Sequence, residues 1–154
     1  MDERARILVV DDEESIRKVL ATVLKEEGYA VDTAKNGKEA IRRSNVKFYN
    51  VALIDIRLPD MDGTKLLTAL KETTPKMVKI IVTGYPTLQN AVEAVNRGAD
   101  VYVLKPFKME NVLKTIREQL KNQQEAKKYS QEKVAEFIET RAKELKTITH
   151  KKTF

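Results

Sequence analysis

A chain of 154 residues with 42% hydrophobic content can bury one core, and it contains no cysteine and a single histidine, His150. That excludes a disulfide framework, thiolate metal sites, histidine clusters, and Ser/His or Cys/His catalysis. The net charge of +6 divides unevenly, because residues 1–107 hold 17 Lys+Arg against 16 Asp+Glu and residues 108–154 hold 12 against 7, interleaved as on a solvated helix face.

The first strand signal begins by Arg6, leaving no space for a secretion signal, and no apolar run approaches the roughly 18 residues of a membrane span. A soluble cytoplasmic protein is expected. Arg6-Ile7-Leu8-Val9-Val10 is a short β-branched run that stops at four acids, Asp11 to Glu14. Taken alone, those acids read equally as the solvated first turn of a helix carrying Ile16, Val19, Leu20, Val23 and Leu24, or as an oxygen-rich Mg2+ site at a strand end. Gly28 stops that helix, Tyr29 to Ala34 is a second strand, Asn36-Gly37 a turn, and Lys38 to Ser44 a short helix.

Val51 to Ile54 is a fully apolar run that delivers one carboxylate, Asp55, and is bounded by Pro59 and Gly63, as suits a central strand of a parallel sheet. A helix is expected from about Asp62 to Thr73, with Leu66, Leu67 and Leu70 on its inner face. Val78 to Thr83 is the fourth strand, and Gly84 to Thr87 leads into a helix through Ala91 to Val95 that Gly98 caps. Val101 to Lys105 is the fifth strand, and Pro106-Phe107 turns the chain into a last helix near Met109. Five strands, each preceding a helix at spacings of about 20 to 25 residues, predict a doubly wound α/β parallel sheet.

Parallel strands share one carboxyl edge, and ligands of open α/β sheets bind there. Asp11-Asp12, Asp55, Thr83 and Lys105 all fall at strand ends, which converges three carboxylates, a hydroxyl and an ammonium. Singly, Lys105 reads as a surface lysine and Thr83 as a strand-end cap. Jointly they suit phosphoryl transfer, with Asp55 as nucleophile, Asp12 and Asp55 on Mg2+, and Lys105 and Thr83 meeting phosphoryl oxygens.

With Asp11-Asp12, Asp55 followed by Pro59 and Asp62-Gly63, Thr83-Gly84 and Lys105-Pro106-Phe107 in place, residues 5 to about 120 resemble the receiver domain of a two-component response regulator. The resemblance is nearest to nitrogen-regulator-type receivers. It implies the flavodoxin-like strand order 2-1-3-4-5, a sensor histidine kinase as phosphodonor, and an Mg2+-dependent acyl phosphate on Asp55. It further implies metal ligation by Asp12, Asp55 and the Arg57 backbone carbonyl, with Asp11 acting through water. Thr83 and Tyr102 match the family's switch pair, and the Lys105-Pro106 peptide is expected to be cis. Arg57 and Tyr85, two residues beyond Asp55 and Thr83, are expected to flank the attacking water and slow hydrolysis.

Nothing from Lys108 to Phe154 is Pro or Gly. Steps of four and three from Leu120 reach Gln124, Lys127, Gln131, Val134, Ile138, Arg141, Leu145 and Ile148, a heptad seam broken by polar residues. The receiver is expected over 1–121. The extension 122–154 is expected as a weak coiled coil, a two-part helix with a soft segment near Asn122 to Lys128, or a solvated helix folded back. A homodimer through this helix or the sheet-edge helix face is a candidate partner; membrane and nucleic acid are not expected. A phosphatase of the haloacid dehalogenase type is the rival enzyme reading, but it requires a second acid where Arg57 stands. A basic-tailed nucleic-acid regulator is the other rival.

Overall fold

The computed structural model describes residues 4–152, with side chains described through residue 146. Five parallel strands, β1 (Arg6–Val10), β2 (Ala30–Ala34), β3 (Val51–Asp55), β4 (Val78–Thr83) and β5 (Val101–Leu104), lie in the order β2-β1-β3-β4-β5. They alternate with α1 (Glu14–Glu26), α2 (Gly37–Val46), α3 (Gly63–Ala69), α4 (Leu88–Asn96) and α5 (Met109–Lys152). The expected order and element count are both met. Among the described residues, no helix is long and apolar enough to cross a membrane.

Every residue of β3 and β4 is buried, as continuous apolar runs in a sheet covered on both faces should be. Alternate residues divide between two cores. Leu8, Val10, Ala52, Ile54 and Ile81 pack with Ala40 of α2, Leu66 and Leu67 of α3 and Ala94 of α4. On the other face, Ile7, Val9, Leu53, Ile80 and Val82 pack with Leu20 and Leu24 of α1 and Val112 and Ile116 of α5.

Asn36 is the N-cap of α2, its side chain accepting from the Glu39 amide at 2.8 Å, so Asn36-Gly37 opens a helix where a turn was expected. Gly28 and Gly98 close α1 and α4 with φ of +96° and +97°, a conformation costly for residues with a Cβ. Val19, expected on the inner stripe of α1, is 55% exposed.

The largest departure concerns α3, which was expected to run to Thr73 and ends at Ala69. Leu70 turns extended (ψ 144°) while its side chain stays in the core beside Met77. The Lys71 amide then bonds to Ser44 Oγ at 3.3 Å, and Thr73 Oγ1 donates to the Pro75 carbonyl at 2.8 Å. Leu70 matched the helical spacing because burial, not helix, was what it signalled.

The chain divides into two compact units, Met1–Leu120 and Lys121–Phe154. In the second unit the segment around Asn122 to Lys128 is helical. Val134, Phe137, Ile138 and Leu145 stand exposed on that helix. Ile148, the last seam position, lies outside the residues whose side chains are described.

Candidate functional site

β1, β3 and β5 deliver their chemistry to one edge because parallel strands in register end together. Val10 pairs with Ile54 and Asp55 with Val82, which places Asp11, Asp55 and Thr83 at neighbouring strand ends. Lys105 follows β5 by one residue rather than ending it, and its amide still donates to the Thr83 carbonyl at 2.8 Å. The Lys105-Pro106 peptide is cis, as expected, and so is Thr74-Pro75.

Ligand oxygens of Asp11, Asp12 and Asp55 lie within 4.8 Å of one another. Asp11 and Asp55 are buried at 3% and 6% exposure, whereas Asp12 is exposed. Lys105 Nζ donates to Asp11 Oδ2 at 2.9 Å and, more distantly, to Asp55 Oδ2 at 3.5 Å. The lysine therefore leans on Asp11, leaving Asp55 the less committed acid. Asp11 Oδ1 accepts from the Glu13 amide at 2.9 Å, and its carbonyl accepts from Arg17 Nη1 at 2.7 Å. Asp55 Oδ1 accepts from the Arg57 amide at 3.2 Å.

Burial, and then the neighbouring Asp11 carboxylate, push the Asp55 carboxyl above its ordinary range despite Lys105. Burial pulls the Lys105 ammonium down, but Asp11 first and Asp55 second outweigh it and hold the ammonium above its usual value. Three carboxylates against one ammonium leave two negative charges uncompensated in this cluster. A hard divalent cation with oxygen ligands fits both that charge and that donor set.

Thr83 is fully buried, and its Oγ1 accepts from the Tyr85 amide at 2.9 Å. Tyr102 pairs with Ile81 and packs half-buried against the core on that face. Its hydroxyl is buried with no hydrogen-bond partner among the described residues, and that burial raises its pKa. The Arg57 guanidinium lies 3.6 Å above the centroid of the Tyr85 ring, bringing the two expected rate-tuning residues into contact.

The role of Gly63 was missed from sequence. A Cβ there would collide with the Asp55 carbonyl and sit 2.9 Å from Ile56 Cα, while the Gly63 amide donates to the Ile56 carbonyl at 2.6 Å. Gly63 lets the loop press against the backbone of the acid. Asp60 was also missed: its carboxylate accepts from the Gly37 and Lys38 amides at 2.8 and 2.9 Å, strapping this loop to the start of α2. The turn-like Asp60-Met61-Asp62-Gly63 was the available signal, but which helix Asp60 reaches is a tertiary matter.

A doubly wound sheet with a buried aspartate, two flanking carboxylates and a lysine at its carboxyl edge defines an α/β domain built around an acidic pocket. The chain belongs to the response regulator receiver domain family, whose model matches residues 7–117. It is 37% identical over 107 residues to the regulatory protein AtoC of Escherichia coli strain K12, covering 70% of this chain and 23% of AtoC. A CheY-like receiver domain protein of Methanospirillum hungatei JF-1 is 41% identical with a TM-score of 0.78, over 80% of this chain and 99% of that one. The beryllofluoride-activated NtrC4 receiver domain, solved as a dimer in solution, is 41% identical with a TM-score of 0.71, over 77% and 98%. The chain spans about a quarter to a half of the length of the curated relatives it matches.

Receiver domains of this family act in two-component signalling and are phosphorylated on an aspartate. They bind a divalent metal at an acidic pocket, which here is the Asp11, Asp12 and Asp55 cluster. Nothing in the site supports the haloacid dehalogenase rival: the position of its second acid holds Arg57, engaged with Tyr85.

Proposed function

We propose that Asp55 is the phosphoacceptor and that the chain is a binding switch in the cytoplasm rather than an enzyme with a separate substrate. The observation that carries this reading is the pairing at the sheet edge. Lys105 binds Asp11 more closely than Asp55, so a buried carboxylate beside two others is left available for attack.

An Asp55 oxygen forms a bond to phosphorus while the bond from phosphorus to the donor histidine of a sensor kinase breaks, giving an acyl phosphate. Asp12, Asp55 and the Arg57 backbone carbonyl would hold Mg2+, with Asp11 acting through water, and the ion would supply neutralisation of phosphoryl charge. Lys105 turns its ammonium to the phosphoryl oxygens. Thr83 releases the Tyr85 amide and offers its hydroxyl to the phosphate, and Tyr102 occupies the space vacated. The orphaned Tyr102 hydroxyl supports an aromatic that gains from a second position.

Residues 1–121 form the receiver, and 122–154 form a helical extension that carries the switch to an output partner or a second copy. The exposed Val92 and Val95 of α4, beside β5, supply the sheet-edge face through which a phosphorylation-dependent contact is made. The test is incubation with a small phosphodonor and Mg2+. Acid-stable, base-labile label is expected on the wild type and absent from Asp55→Asn; label that persists on the variant refutes the assignment.

A further inference from the structure

Lys79 lies within β4 at 8% exposure, an expensive place for an ammonium. Its Nζ donates to the Leu67 carbonyl of α3, and no carboxylate is within ion-pair distance of it among the described residues. The nearby Asp100 carboxylate is committed to the Lys79 backbone amide at 2.9 Å. An ammonium has three N–H donors, and among the described residues the Leu67 carbonyl is the one acceptor found for them. Burial, with Lys76 adding to it, pushes the Lys79 pKa down, although Asp100 and Glu72 act the other way.

This lysine lines a cleft of about 410 Å3 between α3, the start of β4 and the end of α4. Lys71, Lys76 and Arg97 line it too, against one acid, Glu72. Arg97 is held in place by Glu93, its Nε 3.1 Å from the carboxylate. Cations gather at helix C-termini, and that accounts for the bond from Lys79 to the end of α3 and for Arg97 as the C-cap of α4. It does not account for a desolvated ammonium with spare donors facing a cavity of ligand size.

We propose that this cleft binds a small polyvalent anion, a phosphate ester or a di- or tricarboxylate, through Lys79 at its floor and Lys71, Lys76 and Arg97 at its rim. The site is separate from the acidic pocket, since β4 carries Lys79 near its start and Thr83 at its carboxyl end. The proposal is independent of the role of Asp55.

Amide 1H–15N spectra of the full chain, titrated with inorganic phosphate and separately with tricarballylate against sodium chloride at matched ionic strength, test it. Saturable shifts are expected at Lys79, Arg97, Gly98 and Asp100, with a Kd of about 1 mM or tighter for at least one anion. Lys79→Met weakens that binding by about tenfold or more, Arg97→Gln weakens it measurably without touching the core, and Lys105→Ala leaves it unchanged. Response to phosphate alone assigns the site to phosphate esters, and response to tricarballylate alone assigns it to carboxylates. Chloride-like unsaturable shifts, shifts centred on Lys105, or binding indifferent to both Lys79→Met and Arg97→Gln overturn the proposal.

Discussion

At the scale of single residues, the backbone of the acid is set by a glycine eight positions later. Gly63→Ala places a methyl group against the Asp55 carbonyl and Ile56 Cα, main-chain atoms that cannot rotate away. A loss of about 1–3 kcal/mol in urea denaturation is expected, together with slower phosphorylation. Asp32 is a second such position, on the opposite flank of the sheet. It accepts from Tyr49 Oη at 2.7 Å and lies 3.7 Å from both Arg6 and Lys47. Burial raises its carboxyl, but the Tyr49 bond, then Lys47, Arg43 and Arg6, outweigh it and hold the pKa below the ordinary value. A depressed folded pKa stabilises above the unfolded value, about 3.9, and that contribution is lost as pH falls through the folded one. The Tm advantage of wild type over Asp32→Asn should therefore be full near neutrality and shrink as pH drops below the ordinary carboxylate range.

Between elements, the loops after β3 and β4 are clamped by one contact, Arg57 over Tyr85. The same Tyr85 supplies the amide held by Thr83, so the clamp and the proposed switch threonine share one loop. Tyr85→Ala removes the ring that Arg57 covers and opens the approach of water to the acyl phosphate. Dephosphorylation faster by about tenfold, followed as loss of label over time, is the expected outcome; an unchanged rate removes the clamp from the hydrolysis pathway. On the other side, Asn36 and Asp60 together satisfy three amides at the start of α2, so the loop that carries Gly63 is tied to a helix at one end and to the Ile56 carbonyl, next to Asp55, at the other. Sequence spacing identified α2 but assigned its cap to a turn, because Asn-Gly suits both and only the position of Asp60 distinguishes them.

For the whole molecule, the second unit presents Val134, Phe137, Ile138 and Leu145 to solvent at 57%, 67%, 61% and 56%. Val134, Ile138 and Leu145 fall on the heptad seam, and a helix with such a stripe associates through it. Sedimentation of the full chain is expected to show a dimer that Ile138→Asp with Leu145→Asp returns to monomer; a monomeric wild type, with or without beryllofluoride, excludes the seam as an interface. The polar Gln131 and Arg141 in the same seam are expected to weaken that dimer and make it concentration-dependent.

The number of strands, the layer pattern and the membership of the acidic pocket were legible because each rests on a local signal, whereas the strand order came only from the resemblance to receiver domains. Apolar runs of four to six residues read as buried strands here, and the acid, hydroxyl or lysine at or just past the ends of β1, β3, β4 and β5 is read directly. The length of α3 was not legible, since Leu70 is buried whether or not its backbone is helical. The preference of Lys105 for Asp11, the stack of Arg57 on Tyr85, the press of Gly63 on Asp55 and the bond from buried Lys79 to Leu67 were also beyond it. Each is a distance between residues far apart in the chain, settled by how helices and loops pack onto the sheet. Sequence by itself determined which groups reach the carboxyl edge, because periodicity and strand ends are local properties of the chain. Tertiary structure alone decided which of those groups hold one another and which carboxylate is left available.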